Sequence, residues 1–372
     1  MTQLKVDTIT DAAGTAAPDL EDGLTIDGAS LSTVNTAEYY SSGTEPSSPK
    51  DGAIWWDTAN DKVMIFVNDV WREVTLGASA AAEFAWGGDK GYYLNGTSFG
   101  NTFSISTPAN ATTVSVSRSV SQAYSAAAGN GTKIVFAGGS IHDDCLVVTS
   151  ATSAASTVSG ALTFDHIRYH GACSNGTYMT LFAGRTSASN PDDATEYLTI
   201  DSFSSSTAGG NLTVSRLYTA AVGDATYGVC AGGLSGGAGI NTIDYVTVAT
   251  TTAASDFGDL TIAHRNLAGT DDATRGIFAG GVGSTTYSDV IQYITTATPS
   301  NATDFGDLTV GRYATQGCSN GTYAVFVVGY QSSGTNTTMD YVTIQTLGNA
   351  TDFGDITDAI EQYGTAGSGA AS

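Results

Sequence analysis

The chain has 372 residues, of which 41% are hydrophobic, 45 are glycine and 6 are proline, a composition typical of many short strands joined by tight turns. Its formal net charge of −23 argues against general nucleic-acid binding and against adsorption to anionic lipid. The sequence has no apolar run near the roughly 18 residues of a membrane-spanning helix and no apolar signal-peptide core at its start, so we expect cytoplasmic synthesis and no membrane insertion.

The first forty residues form two short strand-like runs, at residues 4–10 and 23–28. A segment of residues 1–40 is too short to bury much surface by itself. We therefore predict that it gains order from a partner or from copies of itself, as an attachment or oligomerisation segment.

Residues 41–80 read as a linker followed by a small module of β-hairpins. Serine, proline and glycine dominate residues 41–52. Apolar runs follow at residues 53–57, 62–67 and 71–74, separated by Asn-Asp turns.

Two stretches of this N-terminal region resemble proteins of tailed phages. Lys-Val-Asp-Thr-Ile-Thr-Asp at residues 5–11 resembles the start of phage appendage proteins, marine ones in particular. Gly-Ala-Ile-Trp-Trp-Asp-Thr at residues 52–58 resembles a module of tail and fibre proteins. The resemblance implies a virion protein that contacts other virion proteins through residues 1–80. If this region drives self-association, the resemblance implies a homotrimer.

The rest of the chain repeats. The tag Asp-Phe-Gly-Asp-(Leu/Ile)-Thr ends at Thr261, Thr309 and Thr357, which are 48 residues apart. An apolar run ending in glycine recurs in six copies, at residues 84–88, 134–139, 181–184, 229–233, 277–281 and 326–329. Each period holds four strand-like runs, so residues 81–372 are predicted to form an all-β, six-bladed propeller.

The closure of the ring can also be predicted. The first copy begins at its second strand, and residues 362–369 match the opening strand at residues 312–319. We therefore expect the C-terminal strand to complete the first blade from the inside, which removes the open edges of the ring.

The repeat resembles the Kelch family. An arginine opens the blade, glycines close the second strand, a tyrosine lies in the third strand, and phenylalanine stands where Kelch blades carry tryptophan. These positions are Arg118, Arg168, Arg216, Arg265 and Arg312; Tyr197, Tyr245, Tyr293 and Tyr341; and Phe257, Phe305 and Phe353. The resemblance implies a fold and no particular activity.

The arginines have two interpretations: repeated structural pairs with an aspartate or a carbonyl, or an anion-binding rim.

Catalytic chemistry is not indicated. The three Asp-Phe-Gly segments lack the other motifs of a kinase, and adjacent carboxylates such as Asp143 and Asp144 lack the spacing of a calcium loop. The histidines have no metal-ligand spacing, and the four cysteines are expected to be free thiols. We predict no catalytic residues, no bound metal and no cofactor.

One face of the propeller is predicted to bind a ligand. Loops joining second to third strands vary, whereas the loops on the opposite face are uniform, and recognition usually lies on variable loops. The predicted contacts are Lys90, Tyr92, Tyr93, His142, Arg185, Tyr287 and Tyr330. Alanine at Tyr92, Tyr93, Arg185 and Tyr330 is expected to abolish binding and to leave stability intact.

Together with these observations, the resemblance to phage appendage proteins implies a non-enzymatic phage virion protein of the tail-fibre type, located in the virion, whose propeller helps to recognise a host-surface receptor, with glycans among the candidates. One alternative is an extracellular carbohydrate-binding or carbohydrate-active propeller. Another is a purely architectural virion scaffold.

Overall fold

The structure is a computed structural model. It describes residues 24–26, 29–31, 39–42, 44–47, 49, 53–57, 62–67, 70–73, 88–94, 99–115, 125–139, 143–163, 170–185, 191–283, 287–332, 334–357 and 365–369. The chain divides into two compact units, Met1–Ala82 and Glu83–Ser372. The regular secondary structure of the described residues is entirely strand.

The first unit contains one strand pair and one four-stranded sheet. The pair is β1 (Leu24–Ile26) and β2 (Ala29–Leu31), and the sheet is β3 (Tyr39–Ser42), β4 (Ile54–Asp57), β5 (Lys62–Val67) and β6 (Val70–Glu73), in that order. β3 runs parallel to β4, and the other pairs are antiparallel. The Trp71 ring meets Tyr40, Trp55 and Phe66 edge to face, at centroid distances of 6.3, 5.5 and 5.2 Å.

The second unit consists of six blades, as predicted; five are four-stranded sheets, and blade 4 has a short fifth strand. Blade 1 contains β7 (Lys90–Leu94), β8 (Phe99–Ser104) and β9 (Thr112–Ser115), together with a strand from the end of the chain. Blade 2 contains β10 (Ala126–Gly129), β11 (Lys133–Ala137), β12 (Cys145–Thr149) and β13 (Ala154–Val158). Blade 3 contains β14 (Gly171–Ser174), β15 (Tyr178–Arg185), β16 (Pro191–Thr199) and β17 (Thr207–Ala208). Blade 4 contains β18 (Ala220–Gly223), β19 (Tyr227–Ala231), β20 (Leu234–Ser235), β21 (Ala238–Thr247) and β22 (Ser255–His264).

Two further blades and the closing strand complete the ring. Blade 5 contains β23 (Ala268–Asp271), β24 (Arg275–Ala279), β25 (Val290–Thr295) and β26 (Thr303–Asp307). Blade 6 contains β27 (Gln316–Ser319), β28 (Tyr323–Val327), β31 (Thr338–Thr343) and β32 (Thr351–Asp355), with the small hairpin β29 (Tyr330–Gln331) and β30 (Gly334–Thr335) between its second and third strands. The last strand, β33 (Thr365–Gly369), pairs with β7 and completes blade 1.

Ring closure by the C-terminal strand is confirmed. β33 packs against the inner strands of both neighbouring blades, β10 and β27. The remaining inner strands contact one another in sequence, from β10 through β14, β18 and β23 to β27. They carry small residues, and a Cβ added at Gly269 would lie 2.5 Å from the Ala221 carbonyl oxygen. Only small side chains allow this close approach around the axis.

The second strand of blade 1 differs from the prediction. It is β7, at residues 90–94, whereas the predicted strand was residues 84–88. β7 has the same pattern as the other second strands, one half-buried residue followed by four buried ones. Tyr92, Tyr93 and Leu94 supply the apolar run that a strand covered on both faces requires. Of the predicted segment, residues 84–87 lie outside the described residues.

An aromatic ladder crosses blades 4 and 6. A second-strand tyrosine meets a third-strand tyrosine, which meets the phenylalanine of the fourth strand. In blade 4 the Tyr227–Tyr245 and Tyr245–Phe257 centroid distances are 5.1 and 5.8 Å. In blade 5, Arg275 replaces the first tyrosine and lies 4.4 Å from the Tyr293 ring centroid. The ladder explains why the repeat places aromatic residues at these positions.

A recurring threonine connects consecutive blades. Thr309, after the fourth strand of blade 5, donates its backbone N–H (3.0 Å) and its hydroxyl (2.7 Å) to the carboxylate of Asp340 in blade 6. Thr357 makes the same two bonds to Asn101 of blade 1, at 3.0 and 2.6 Å. The link therefore also spans the junction that closes the ring.

Candidate functional site

The two faces of the propeller differ in construction. We call the side that carries the loops from first to second and from third to fourth strands the turn face, and the opposite side the variable face. On the turn face, the side-chain oxygen of one residue accepts two backbone N–H groups in each described turn between first and second strands. These residues are Asn130, Asn175, Asp224, Asp272 and Asn320.

Further side chains on the turn face connect neighbouring blades. Asn320 of blade 6 donates to Asp89 of blade 1 at 3.0 Å. Lys133 of blade 2 donates to the Asp201 carbonyl of blade 3 at 2.7 Å. These polar groups have hydrogen-bond partners within the ring, so their role on the turn face is to join neighbouring blades.

The blade-opening arginines in blades 4 and 6 are buried, so the first of their two interpretations applies. Arg216 Nη2 lies 2.9 Å from Asp244, and Arg312 Nη2 lies 3.0 Å from Asp340, with all four side chains 0% exposed. An anion in solvent cannot reach either guanidinium. Arg118 and Arg168 lie outside the described residues.

In blade 5, the predicted position of the opening arginine is wrong by one residue. Gly233 N donates to the His264 carbonyl at 2.9 Å, and Gly281 N makes the equivalent bond to Arg312 at 2.8 Å. His264 therefore occupies the buried arginine position, and neutral Gln292 stands where Asp340 stands in blade 6. Burial lowers the pKa of His264, so blade 5 carries two neutral side chains at the positions where its neighbours carry an ion pair.

Arg265 consequently lies one position further along, on the variable face. Its backbone bridges Val282, and the equivalent bridges are Leu217 with Leu234 in blade 4 and Tyr313 with Tyr330 in blade 6. The same scaffold position thus carries leucine, arginine or tyrosine. Arg265 is partly exposed, and within the described part of the chain its guanidinium has no carboxylate, carbonyl or aromatic partner.

Three tyrosines meet beside Arg265, and we call them the tyrosine cluster. The Tyr287 ring lies 5.0 Å from the Tyr313 ring, tilted by 31°, and Tyr313 lies 5.7 Å from Tyr330. Tyr287 is 37% exposed, and the other two are half-buried. Val282 bridges Tyr287 on one side and Arg265 on the other. Arg265 and the cluster therefore lie along one stretch of the variable face, over blades 5 and 6.

The structure separates the predicted contact residues into three groups. Tyr287 and Tyr330 come together through Tyr313, which the prediction omitted. Arg185 is described only in its backbone, which pairs with Pro191, and His142 lies outside the described residues. The remaining three residues belong to a strand.

Lys90, Tyr92 and Tyr93 hold blade 1 in place and do not form a loop. Tyr92 and Tyr93 are 0% and 1% exposed, and the Tyr92 hydroxyl donates to the Ser150 carbonyl of blade 2 at 2.8 Å. Lys90 Nζ lies 3.3 Å from the same carbonyl. Alanine at the two tyrosines would remove core volume, so we now expect the four-residue variant to lose stability, contrary to the prediction from the sequence.

The ring encloses a cavity of about 60 Å³ on its axis, lined by the inner strands of blades 2 to 6. Cys173 and Cys318 both border it. All four cysteines are free thiols, as predicted, and all four are buried. Burial raises the pKa of the Cys318 thiol to about 12, which leaves it unreactive near neutral pH.

The carboxylic acid Asp271 also lines this cavity. Burial raises its pKa to about 7, although Gly223 N and Ala273 N donate to its carboxylate at 3.0 and 3.2 Å. In an unfolded chain the pKa of aspartate is about 4. Between these values the native state binds more protons than the unfolded state, so stability falls as the pH rises from about 4 to 7.

We expect Asp271→Asn to remove this pH dependence, because an amide does not titrate. The free energy of unfolding of the wild type should fall by at most about 1.4 kcal/mol per pH unit across that interval, relative to the variant. Urea unfolding between pH 4 and 8 measures the slope, which is insensitive to a constant difference in stability. Asp201→Asn, at an exposed position, is the control, and parallel profiles for wild type and Asp271→Asn would contradict the prediction.

The described residues contain no group of three or more His, Cys, Asp or Glu side chains that could hold a metal ion. Within the same residues, no helix is long and apolar enough to cross a membrane. The tyrosine cluster and Arg265 together offer an aromatic and cationic surface for binding. Comparison with models of protein families gives no match, and comparison with curated proteins gives none either.

Proposed function

We propose that this chain is a non-enzymatic phage virion protein of the tail-fibre or appendage type, whose Kelch-like propeller binds a receptor on the host surface. The observation that carries the proposal is the contrast between the two faces. The turn face uses its polar side chains to join blades, whereas equivalent positions of the variable face carry different side chains and include a solvent-accessible tyrosine cluster. Rigid scaffolds commonly place recognition on such positions.

The N-terminal region supports the virion assignment. Residues 5–11 and 52–58 resemble phage appendage proteins, and the described sheet β3–β6 gives the second stretch a folded setting. Residues 1–80 dock onto other virion proteins in this proposal, and trimerisation is the form of self-association that fibres favour. Tyrosine is also among the residues enriched at energetically important contact sites.

Binding of the labelled full-length chain to a panel of marine bacterial isolates tests the proposal. We expect Tyr287→Ala combined with Tyr330→Ala to weaken cell binding at least tenfold, because the variant loses two of the three rings. The matched control is Leu347→Ala, at an apolar residue of the turn face that is 54% exposed. Cell binding that survives the tyrosine changes but disappears with Leu347→Ala would show that the turn face carries recognition.

A further inference from the structure

We infer that the tyrosine cluster and Arg265 form a binding site for an acidic saccharide, a sugar ring that bears a carboxylate. This inference rests on the proposed binding role of the variable face and adds the chemical class of the ligand. It combines two independent features of the same surface: a partly exposed tyrosine cluster, and a cation that has no carboxylate partner among the described residues.

The rings suit a sugar. The Tyr287 and Tyr313 rings are inclined by only 31°, whereas the tyrosines of the blade cores meet edge to face. Tyr287 is 37% exposed, so part of its side chain is open to a ligand. A sugar ring has an apolar face of C–H groups and a rim of hydroxyls. Tyrosine offers both an apolar ring and a hydroxyl that exchanges hydrogen bonds, and its side chain loses little conformational entropy on binding.

Arg265 selects for negative charge. The other described cationic side chains have partners: Arg216 and Arg312 pair with buried aspartates, Lys133 contacts Asp201, Lys90 contacts a carbonyl, and Arg275 contacts a carbonyl and a ring. Within the part of the chain that the structure describes, Arg265 has none, although the formal net charge of the chain is −23. A guanidinium matches a carboxylate with two parallel hydrogen bonds, and this pairing is stronger than a neutral hydrogen bond.

Asp289 opposes this preference and makes it measurable. It is exposed, lies two residues after Tyr287, and is the carboxylate of the described residues closest to Tyr287 in sequence. The remote charges of the chain are screened beyond a Debye length of about 8 Å at physiological salt. Asp289, together with Asp307, whose carboxylate interacts with that of Asp289, therefore opposes the charge preference of Arg265.

Calorimetric titration of the full chain with acidic saccharides and their neutral counterparts tests the inference. The probes are hexagalacturonate and its methyl ester, hyaluronan hexasaccharide, and sialyllactose with lactose. We expect an acidic saccharide to bind, Arg265→Gln to weaken it at least tenfold, Asp289→Asn to strengthen it severalfold, and Tyr287→Ala to weaken acidic and neutral forms alike. Lys133→Gln removes a positive charge from the turn face and should leave binding unchanged.

Several outcomes would overturn the inference. They are binding of no acidic saccharide, equal binding of an acid and its neutral form, or no effect of Arg265→Gln. If acidic saccharides fail while the tyrosine changes still abolish cell binding, the ligand class is wrong and the proposed function stands. If an acidic saccharide binds as expected while cell binding is unaffected by the tyrosine changes, the site is supported and the proposed function fails.

Discussion

Deletion of residues 359–372 is expected to open the propeller, so that the chain unfolds at a much lower temperature or associates into oligomers. The deletion removes β33, which forms five backbone pairs with β7, from Thr365 with Leu94 to Gly369 with Lys90. The deletion also leaves a gap between the inner strands β10 and β27, because both pack against β33 in the intact ring. Blade 1 would then expose the inner edge of β7, and an unpaired edge recruits other strands.

Thermal unfolding and size-exclusion chromatography measure both effects. The matched control is deletion of residues 370–372, which follow β33 in the sequence and should leave the melting temperature and the elution volume unchanged. A peptide of residues 359–372 added to the shortened chain should restore the monomer, because strand addition re-forms the lost backbone bonds. An unaltered melting temperature and a monomeric 359–372 deletion would show that β33 does not hold the ring closed.

The ring could be predicted because a repeat states the same structural requirement several times. The 48-residue spacing of Thr261, Thr309 and Thr357 defined the period, and the turn residues defined the strands within it. The exact strand positions were harder to predict in blade 1, which the two ends of the propeller chain form together. β33 carries Thr-Ala-Gly-Ser-Gly, and a segment without large side chains gives little indication of which residue faces which neighbour. The second strand of blade 1 was misplaced for a related reason, because β7 lacks the Ala-Gly ending of the second strands in blades 2 to 5.

The candidate site was only partly predictable. Tyr287 and Tyr330 were chosen because they lie in variable loops, but their contact with Tyr313 depends on three segments that the ring brings together. The buried and exposed arginines were confused because His264 and Arg265 are both polar and adjacent. His264 follows Thr261 by three residues, as Arg312 follows Thr309, so this spacing identifies His264, and not Arg265, as the equivalent of Arg312. Pairing of the blade-opening arginines with an aspartate or a carbonyl was one of the two interpretations, but the sequence did not identify Asp340 as the partner of Arg312.

The buried ion pairs lead to the second large effect, in blade 4. Asp244 accepts from Arg216 at 2.9 Å and from the Thr213 backbone and hydroxyl at 3.0 and 2.7 Å, and both members of the ion pair are 0% exposed. Asp244→Leu leaves the Arg216 charge buried without its partner. Loss of one member of a buried pair typically costs about 3–5 kcal/mol, and we expect a loss of this size in the free energy of unfolding.

The chain itself provides the compensating substitution. In blade 5, His264 and Gln292 occupy these positions, and the Gln292 side-chain oxygen accepts the Thr261 backbone and hydroxyl at 2.7 and 2.9 Å. Arg216→His combined with Asp244→Gln should therefore recover most of the stability lost in Asp244→Leu, since no uncompensated charge remains. Urea unfolding measures both variants against Asp201→Leu, a control at a 65% exposed side chain. An Asp244→Leu protein within about 1 kcal/mol of wild type would mean that the ion pair contributes little beyond the hydrophobic side chain that replaces it.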